Sequence, residues 1–371
     1  MGKLNIFEIS FNNGSGVFYS GNIVQGYVTV ELTEPMKMRG IRLKFEGKAY
    51  VHWSESNSNA SGKNRGTTSR HFSATEKYFD QDVLLFGKLS GQGSDTKELP
   101  AGRHTYPFQF QLPQDLPSSF EADIGHVRYT VSGTIDKPWK FDHKTQRVFT
   151  IISIFDLNQQ PNTMSRLQET KEKHKWWGGR KSEVTEATFH IDRSGYVPGE
   201  AVKLYAEITF KPSHTWVKSY VVLKMVTTFH ATTKSRTIVT EVARGAHPRI
   251  TNNGEDNWTG EELIIPPLPP SFLVGCKIID IHYILQLNVE PSGPDLHLEV
   301  PLEIIIGTIP LRSVVDKHPP MPPPNYNCAN MYALETTPTA PPAEMLYPLP
   351  PPSDLPNLPP PSYNECINVR L

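Results

Sequence analysis

Cysteine is scarce in this chain: Cys276, Cys328 and Cys366 are the only three in 371 residues. Three thiols build no disulfide framework, and with no secretory leader before them they point to a reducing, cytoplasmic setting. The start, Met1-Gly2-Lys3-Leu4-Asn5-Ile6-Phe7-Glu8, has too short an apolar run for a signal peptide, and Ile6 stands where a myristoylation pattern needs Ser or Thr. Nowhere do about 18 apolar residues follow one another, so no membrane-spanning helix is expected. Charge of one sign is lacking too. The 37 Lys and Arg against 38 Asp and Glu give a net charge of −1, which leaves nucleic-acid binding without an electrostatic basis. The short motifs of catalysis are missing: no G-x-S-x-G, no phosphate loop, no H-E-x-x-H and no paired C-x-x-C. The 13 histidines are scattered without ligand spacing; His126 and His282 read as strand residues. Neither a metal, a cofactor nor an enzymatic activity is expected.

Helix signals are nearly absent, and period-two alternation takes their place. Ile41, Leu43, Phe45, Gly47, Ala49 and Val51 alternate with Arg42, Lys44, Glu46, Lys48, Tyr50 and His52, the pattern of a half-buried strand. Tyr106–Leu112, Val127–Asp136, Val202–Lys211 and Ile281–Val289 alternate in the same way, and Leu302–Ile309 reads as a last apolar strand. Ser54–Thr75, rich in Ser, Asn, Gly and Arg, reads as a long mobile loop. Residues 158–182 read as a polar linker in which Gln168–Lys175 has no apolar face and forms a helical turn or two at most. Within that linker Lys171, Lys173, Lys175, Arg180 and Lys181 flank Trp176 and Trp177. Basic residues beside indoles suit a lipid headgroup interface, or else a solvated linker whose tryptophans pack on a domain edge.

The two halves repeat one another. Tyr19-Ser20-Gly21 matches Tyr196-Val197-Pro198-Gly199, Leu116-Pro117-Ser118-Ser119-Phe120 matches Leu268-Pro269-Pro270-Ser271-Phe272, and Val127-x-Tyr129-x-Val131 matches Ile281-x-Tyr283-x-Leu285. Each half holds about seven strands, the number an immunoglobulin-like β-sandwich needs. The fold expected is all-β: two tandem sandwiches over 1–157 and 183–310, followed by a disordered tail over 311–371.

That tail carries 16 of the chain's 34 prolines and no glycine. Pro323-Pro324-Asn325-Tyr326 and Pro360-Pro361-Ser362-Tyr363 both read P-P-x-Y. Paired prolines preset a polyproline II backbone, so little entropy is lost on docking into an aromatic-lined groove of the WW type. Pro338-Thr339-Ala340-Pro341 has the form of a motif read by the ESCRT-I machinery. SH3 grooves usually want a basic residue beside P-x-x-P, and none occurs from Ala333 to Val369.

Several stretches together resemble the α-arrestins, the arrestin-domain-containing proteins. They are Phe7-Glu8-Ile9-Ser10-Phe11, Leu99-Pro100-Ala101-Gly102-Arg103-His104, Tyr106-Pro107-Phe108-Gln109-Phe110, Ser119-Phe120-Glu121, Gly195-Tyr196-x-Pro198-Gly199-Glu200, Gly275-Cys276 and Ile306-Gly307-Thr308-Ile309-Pro310. The resemblance implies arrestin N and C domains. It also implies an adaptor between membrane receptors or transporters and HECT-type ubiquitin ligases with WW domains, and so cargo ubiquitination, endocytosis and endosomal sorting. Peripheral recruitment to plasma membrane and endosomes follows. The thioredoxin-interacting relative uses a cysteine in the loop equivalent to Ile250–Trp258; this loop has none, which disfavours thioredoxin capture.

On the body, Arg42, Lys44 and Lys48 share the polar face of one strand. They form either a solvated outer face or a dock for acidic or phosphorylated cargo tails. Two other functions stay open at this point: an ESCRT-linked vesicle-budding scaffold, and a signalling or transcriptional WW-domain ligand. Cys276 reads as a small buried thiol.

Overall fold

The computed structural model describes residues 3–58, 67–88, 96–138, 140–177, 180–211, 217–247, 255–291 and 297–315. The tail motifs at Pro323–Tyr326, Pro338–Pro341 and Pro360–Tyr363 lie outside the described residues, as do Cys328 and Cys366.

The N-terminal domain is built from β1 (Leu4–Phe11), β2 (Val17–Tyr19), β3 (Ile23–Leu32), β4 (Met36–Met38), β5 (Gly40–Ser58), β6 (Thr67–Gly87), β7 (Lys97–Leu99), β8 (Gly102–Gln111), β9 (Phe120–Ala122), β10 (Gly125–Asp136) and β11 (His143–Ile152). One sheet has the order β1-β3-β8; the other runs β2-β11-β10-β5-β6, with β9 on β10 and a small β4-β7 pair at one end. The alternation in β5 does what period two dictates: Ile41, Leu43, Phe45, Ala49, Val51 and Trp53 are buried, and their neighbours face out. Phe45 and Phe110 stack across the two sheets at 4.5 Å, and Phe11, Phe18 and Tyr129 surround Phe149 at centroid distances of 5.9–6.0 Å.

The C-terminal domain comprises β12 (Leu167–Trp177), β13 (Arg180–Ile191), β14 (Gly195–Tyr196), β15 (Ala201–Lys211), β16 (Val217–His230), β17 (Ser235–Ala246), β18 (Glu255–Ile264), β19 (Ile279–Pro291) and β20 (Leu298–Ile306). Its sheets are β12-β13-β15-β18 and β14-β20-β19-β16-β17. A single helical turn, Arg312–Val315, follows.

The repeat read from the sequence has a structural counterpart at every matched stretch. Each domain has, near its start, a short strand that pairs in parallel with its last strand: β2 with β11, and β14 with β20. Tyr19 and Tyr196 end those short strands, and Gly21 and Gly199 then take φ of +78° and +90°, open to glycine without strain. Tyr129 Oη donates to Pro117 O at 2.7 Å, and Tyr283 Oη donates to Pro269 O at 2.7 Å. These are two copies of one contact, a strand tyrosine that ties down the Leu-Pro turn before it. Ser119 Oγ and Ser271 Oγ accept from Ile151 N and Ile306 N, both at 2.9 Å.

Two expectations need correction. The stretch 54–75 is not a loop throughout: Ser54–Ser58 and Thr67–Thr75 belong to β5 and β6 and pair from Ser54 opposite His71 to Ser58 opposite Thr67. The insertion relative to the second half therefore lengthens a hairpin, with arms of 19 and 21 residues against 14 and 12 in β16 and β17. Ladder hydrogen bonds use backbone groups, so a polar sequence pairs as well as an apolar one when a partner arm is present. The linker assigned to 158–182 is likewise mostly sheet. Leu167–Trp177 pairs with β13 from Leu167 opposite Ile191 to Trp177 opposite Arg180. Its polarity reflects its place at a sheet edge, where charged side chains, lysine above all, discourage further pairing. The second sandwich therefore begins at Leu167, ahead of the expected 183. The side chains of Trp176 and Trp177 lie outside what is described.

The two sandwiches share a packed seam. Phe229 of β16, fully buried, packs 6.4 Å from Phe120, and Gly125 lies so close that an added Cβ would sit 2.7 Å from Phe229 Cδ1. Phe155 meets Phe272 at 6.0 Å, and its backbone N–H donates to Thr308 Oγ1 at 2.7 Å. The long β5–β6 hairpin adds polar ties: Thr232 Oγ1 to Ser73 O at 3.0 Å, Lys234 Nζ to Glu55 at 2.7 Å, and Lys277 N to Glu76 Oε2 at 2.8 Å.

Candidate functional site

The outer face of β5, with its neighbours β6 and β10, holds the charged residues singled out in the sequence. Register aligns them. Lys48 lies opposite Lys77 on one side and Arg128 on the other, so three cations form a row across the sheet. Like charges placed opposite one another repel. Each is offset by a carboxylate: Glu46 Oε1 is 3.2 Å from Lys48 Nζ, Asp80 Oδ2 is 3.3 Å from Lys77 Nζ, and Glu121 holds Arg128 in a two-point pair at 2.5 and 2.7 Å. The Glu121 pair holds the Arg128 guanidinium above its ordinary pKa.

Beside this row lies a second one, of rings. Tyr50 stacks on His52 at 6.2 Å and meets His126 at 5.7 Å, and His52 stacks on His71 at 5.6 Å. Burial, with Arg128 next to it, pushes the His126 pKa down, so its imidazole stays neutral at neutral pH. Between the rows is an open concavity of about 440 Å³ lined by Glu46, Lys48, Tyr50, Thr75, His126, Arg128, Thr130 and Gln146. No side chain there is arranged as a nucleophile with its base, and among the described residues no group of three His, Cys, Asp or Glu could hold a metal. The chemistry on offer is recognition: cations and flat rings on a rigid sheet.

The three sequence candidates part company here. Lys48 lines the concavity. Lys44 stands further along the strand in an ion pair with Asp80 at 2.9 Å; that contact raises the lysine's pKa and lowers the aspartate's. Arg42 lies at the far end of the sheet and belongs to another cluster. Its Nη2 is 3.4 Å from Asp136 Oδ2, and Arg39 grips the same nearly buried carboxylate at 2.6 Å. Arg128, His126 and Tyr50 were not singled out as site residues. Their outward period was legible, but the register that gathers them was not.

Elsewhere, burial pushes the Cys276 thiol up in pKa, which keeps it protonated and weakly reactive. In the second domain Ser219 Oγ donates to buried Asp256 Oδ2 at 2.7 Å and accepts from Trp258 Nε1 at 3.0 Å, a cluster that ties β16 to β18.

Known proteins match both sandwiches. The family described as "Arrestin (or S-antigen), N-terminal domain" matches residues 7–158, and "Arrestin (or S-antigen), C-terminal domain" matches residues 181–311. The chain belongs to the α-arrestin family. "Arrestin domain-containing protein 17" of Caenorhabditis elegans is 30% identical to it over 323 residues, covering 84% of this chain and 72% of the relative. "Arrestin domain-containing protein 4" of Mus musculus is 31% identical over 312 residues (83% and 73%), and "Arrestin domain-containing protein 1" of Homo sapiens is 30% identical over 354 residues (93% and 73%). Membership of the α-arrestins supports an arrestin-type adaptor role.

Proposed function

We propose that this α-arrestin links membrane cargo, a receptor or transporter, to a HECT-type ubiquitin ligase bearing WW domains. Cargo ubiquitination, endocytosis and endosomal sorting are the outcome. The observation that carries the proposal is the pair of P-P-x-Y segments, Pro323-Pro324-Asn325-Tyr326 and Pro360-Pro361-Ser362-Tyr363, placed beyond the second sandwich. Tyr326 and Tyr363 are 37 residues apart. A flexible chain of that length spans about 30–35 Å, and proline stiffening lengthens it, so two WW domains of one ligase are within reach. The cargo side is the outer face of β5, β6 and β10, with Lys48 and Arg128 meeting acidic or phosphorylated tails and Lys44 at its margin. The protein acts in the cytoplasm and is recruited to plasma membrane and endosomes. Pro338-Thr339-Ala340-Pro341 favours a second reading, an ESCRT-I contact that couples the complex to vesicle budding.

One experiment covers both ends. Full-length protein is titrated with tandem WW domains and, separately, used to capture cargo from membranes. Tyr326→Ala and Tyr363→Ala should each weaken WW binding, and the double variant should nearly abolish it. Lys44→Glu with Lys48→Glu should leave WW binding intact and reduce cargo capture. Full ligase binding by the double tyrosine variant would refute the ligase half, and unchanged cargo capture by the charge-reversed protein would refute the cargo half.

A further inference from the structure

We infer that the tip of the β10–β11 hairpin is a docking point for an anionic lipid bilayer. This rests on the reading of the chain as an adaptor for membrane cargo and assigns the patch with which the adaptor body touches the bilayer itself.

Phe141, in that tip, is 96% exposed, more than any other large apolar side chain among the described residues. Its exposure comes from a braced turn, not a frayed one. Lys137 N donates to Asp142 Oδ1 at 3.1 Å and closes the loop. Arg39 supports it from below: Arg39 N donates to Asp136 O at 2.8 Å, and Arg39 Nη2 donates to Lys137 O at 3.4 Å. Lys137 Nζ lies 2.9 Å from His143 Nε2 and donates to it; burial and that ammonium together hold the imidazole in its neutral, accepting form. A phenylalanine held out in solvent gains nothing from the fold and is ready to bury its ring elsewhere.

The charge around it identifies what covers it. Arg39, Lys137 and Lys140 line one open hollow of about 640 Å³ with Phe141, and exposed Lys144 follows on β11. The nearby carboxylates are already engaged: Asp142 with the turn backbone, Asp136 with Arg39 and Arg42. Among the described residues the turn therefore presents cations around the protruding Phe141 ring. Phe141 projects almost wholly into solvent beside this open hollow, and a bilayer accepts such a ring at the headgroup–acyl boundary without a fitted pocket. Lysines around it meet anionic headgroups, each strengthening partition about fivefold.

The test is co-sedimentation of the full chain with vesicles of phosphatidylcholine, with and without phosphatidylserine, at low and high salt. The wild type should bind the phosphatidylserine vesicles in a salt-sensitive manner. Phe141→Ser should weaken that binding about tenfold. Lys140→Ser with Lys144→Ser should weaken it about 20-fold and reduce the preference for phosphatidylserine to that supported by Arg39 and Lys137. All three replaced side chains are exposed, so the variants should keep the wild-type melting temperature and WW-domain binding. Absence of vesicle binding by the wild type, or wild-type binding by both variants, overturns the inference. WW-domain binding, measured on the same samples, reports the adaptor reading separately.

Discussion

Phe229→Ala tests whether the two sandwiches share one core. The ring is fully buried in β16, faces Phe120 of the other domain at 6.4 Å and lies over Gly125 of β10. Removing a buried phenylalanine costs about 3–5 kcal/mol. The interdomain share is the pair interaction with Phe120, about 0.5–1.5 kcal/mol for a buried aromatic pair. A double-mutant cycle isolates it: Phe120→Ala, Phe229→Ala and both together, each unfolded in urea with the midpoint followed by tryptophan fluorescence and circular dichroism. The expected coupling is about 1 kcal/mol. Gly125→Ala supplies a second probe. Its new Cβ would sit 2.7 Å from the Phe229 ring, so it should destabilise the wild type more than the Phe229→Ala protein. Strict additivity of Phe120→Ala and Phe229→Ala, together with an equal cost of Gly125→Ala in both backgrounds, would refute a shared core.

The duplicated tyrosine–proline contacts should behave as a pair: Tyr129→Phe and Tyr283→Phe each leave a buried proline carbonyl unpaired and should each cost about 1–3 kcal/mol in chemical denaturation. A negligible cost at both would show that neither hydroxyl contributes to holding its turn. His282 should give the stability a pH dependence. Burial alone would lower its pKa, but Asp280 at 2.8 Å and Glu303 at 3.0 Å outweigh burial and raise it above the ordinary value. A raised folded pKa means stabilisation that is fully present below about pH 6.5 and is lost as pH rises through the folded value. The melting-temperature gap between wild type and His282→Gln should therefore be widest in mild acid and narrow toward alkaline pH; a gap constant with pH would exclude the ion pairs as its source.

Much of the architecture was legible in local pattern. Ile41 to Val51 and Val127 to Ile135 alternate because one face of each strand is buried, and that demand acts residue by residue. The repeat was legible because Tyr129 and Tyr283 each follow a Leu-Pro turn, 12 and 14 residues after the proline whose carbonyl accepts their hydroxyl. The errors have one physical source. Ser54–Ser58, Thr67–Thr75 and Gln168–Lys175 are rich in polar residues, so pattern reading sees loop or linker, yet all three are strand held by backbone pairing to a neighbouring arm. The candidate face was half legible: Lys44 and Lys48 followed from period two, whereas the pairing of Arg42 with Asp136 depends on which residues the β5–β10 register brings together.

The amino-acid sequence by itself determined the all-β class, the duplication and the two P-P-x-Y segments, since each is encoded in contiguous residues whose backbone preferences and side-chain period are local. Tertiary structure alone decided the rest. It set the cation and ring rows around Lys48, the seam at Phe229 and the braced Phe141 tip. Each of these joins residues far apart in the chain, through a register and a close approach that no local propensity specifies.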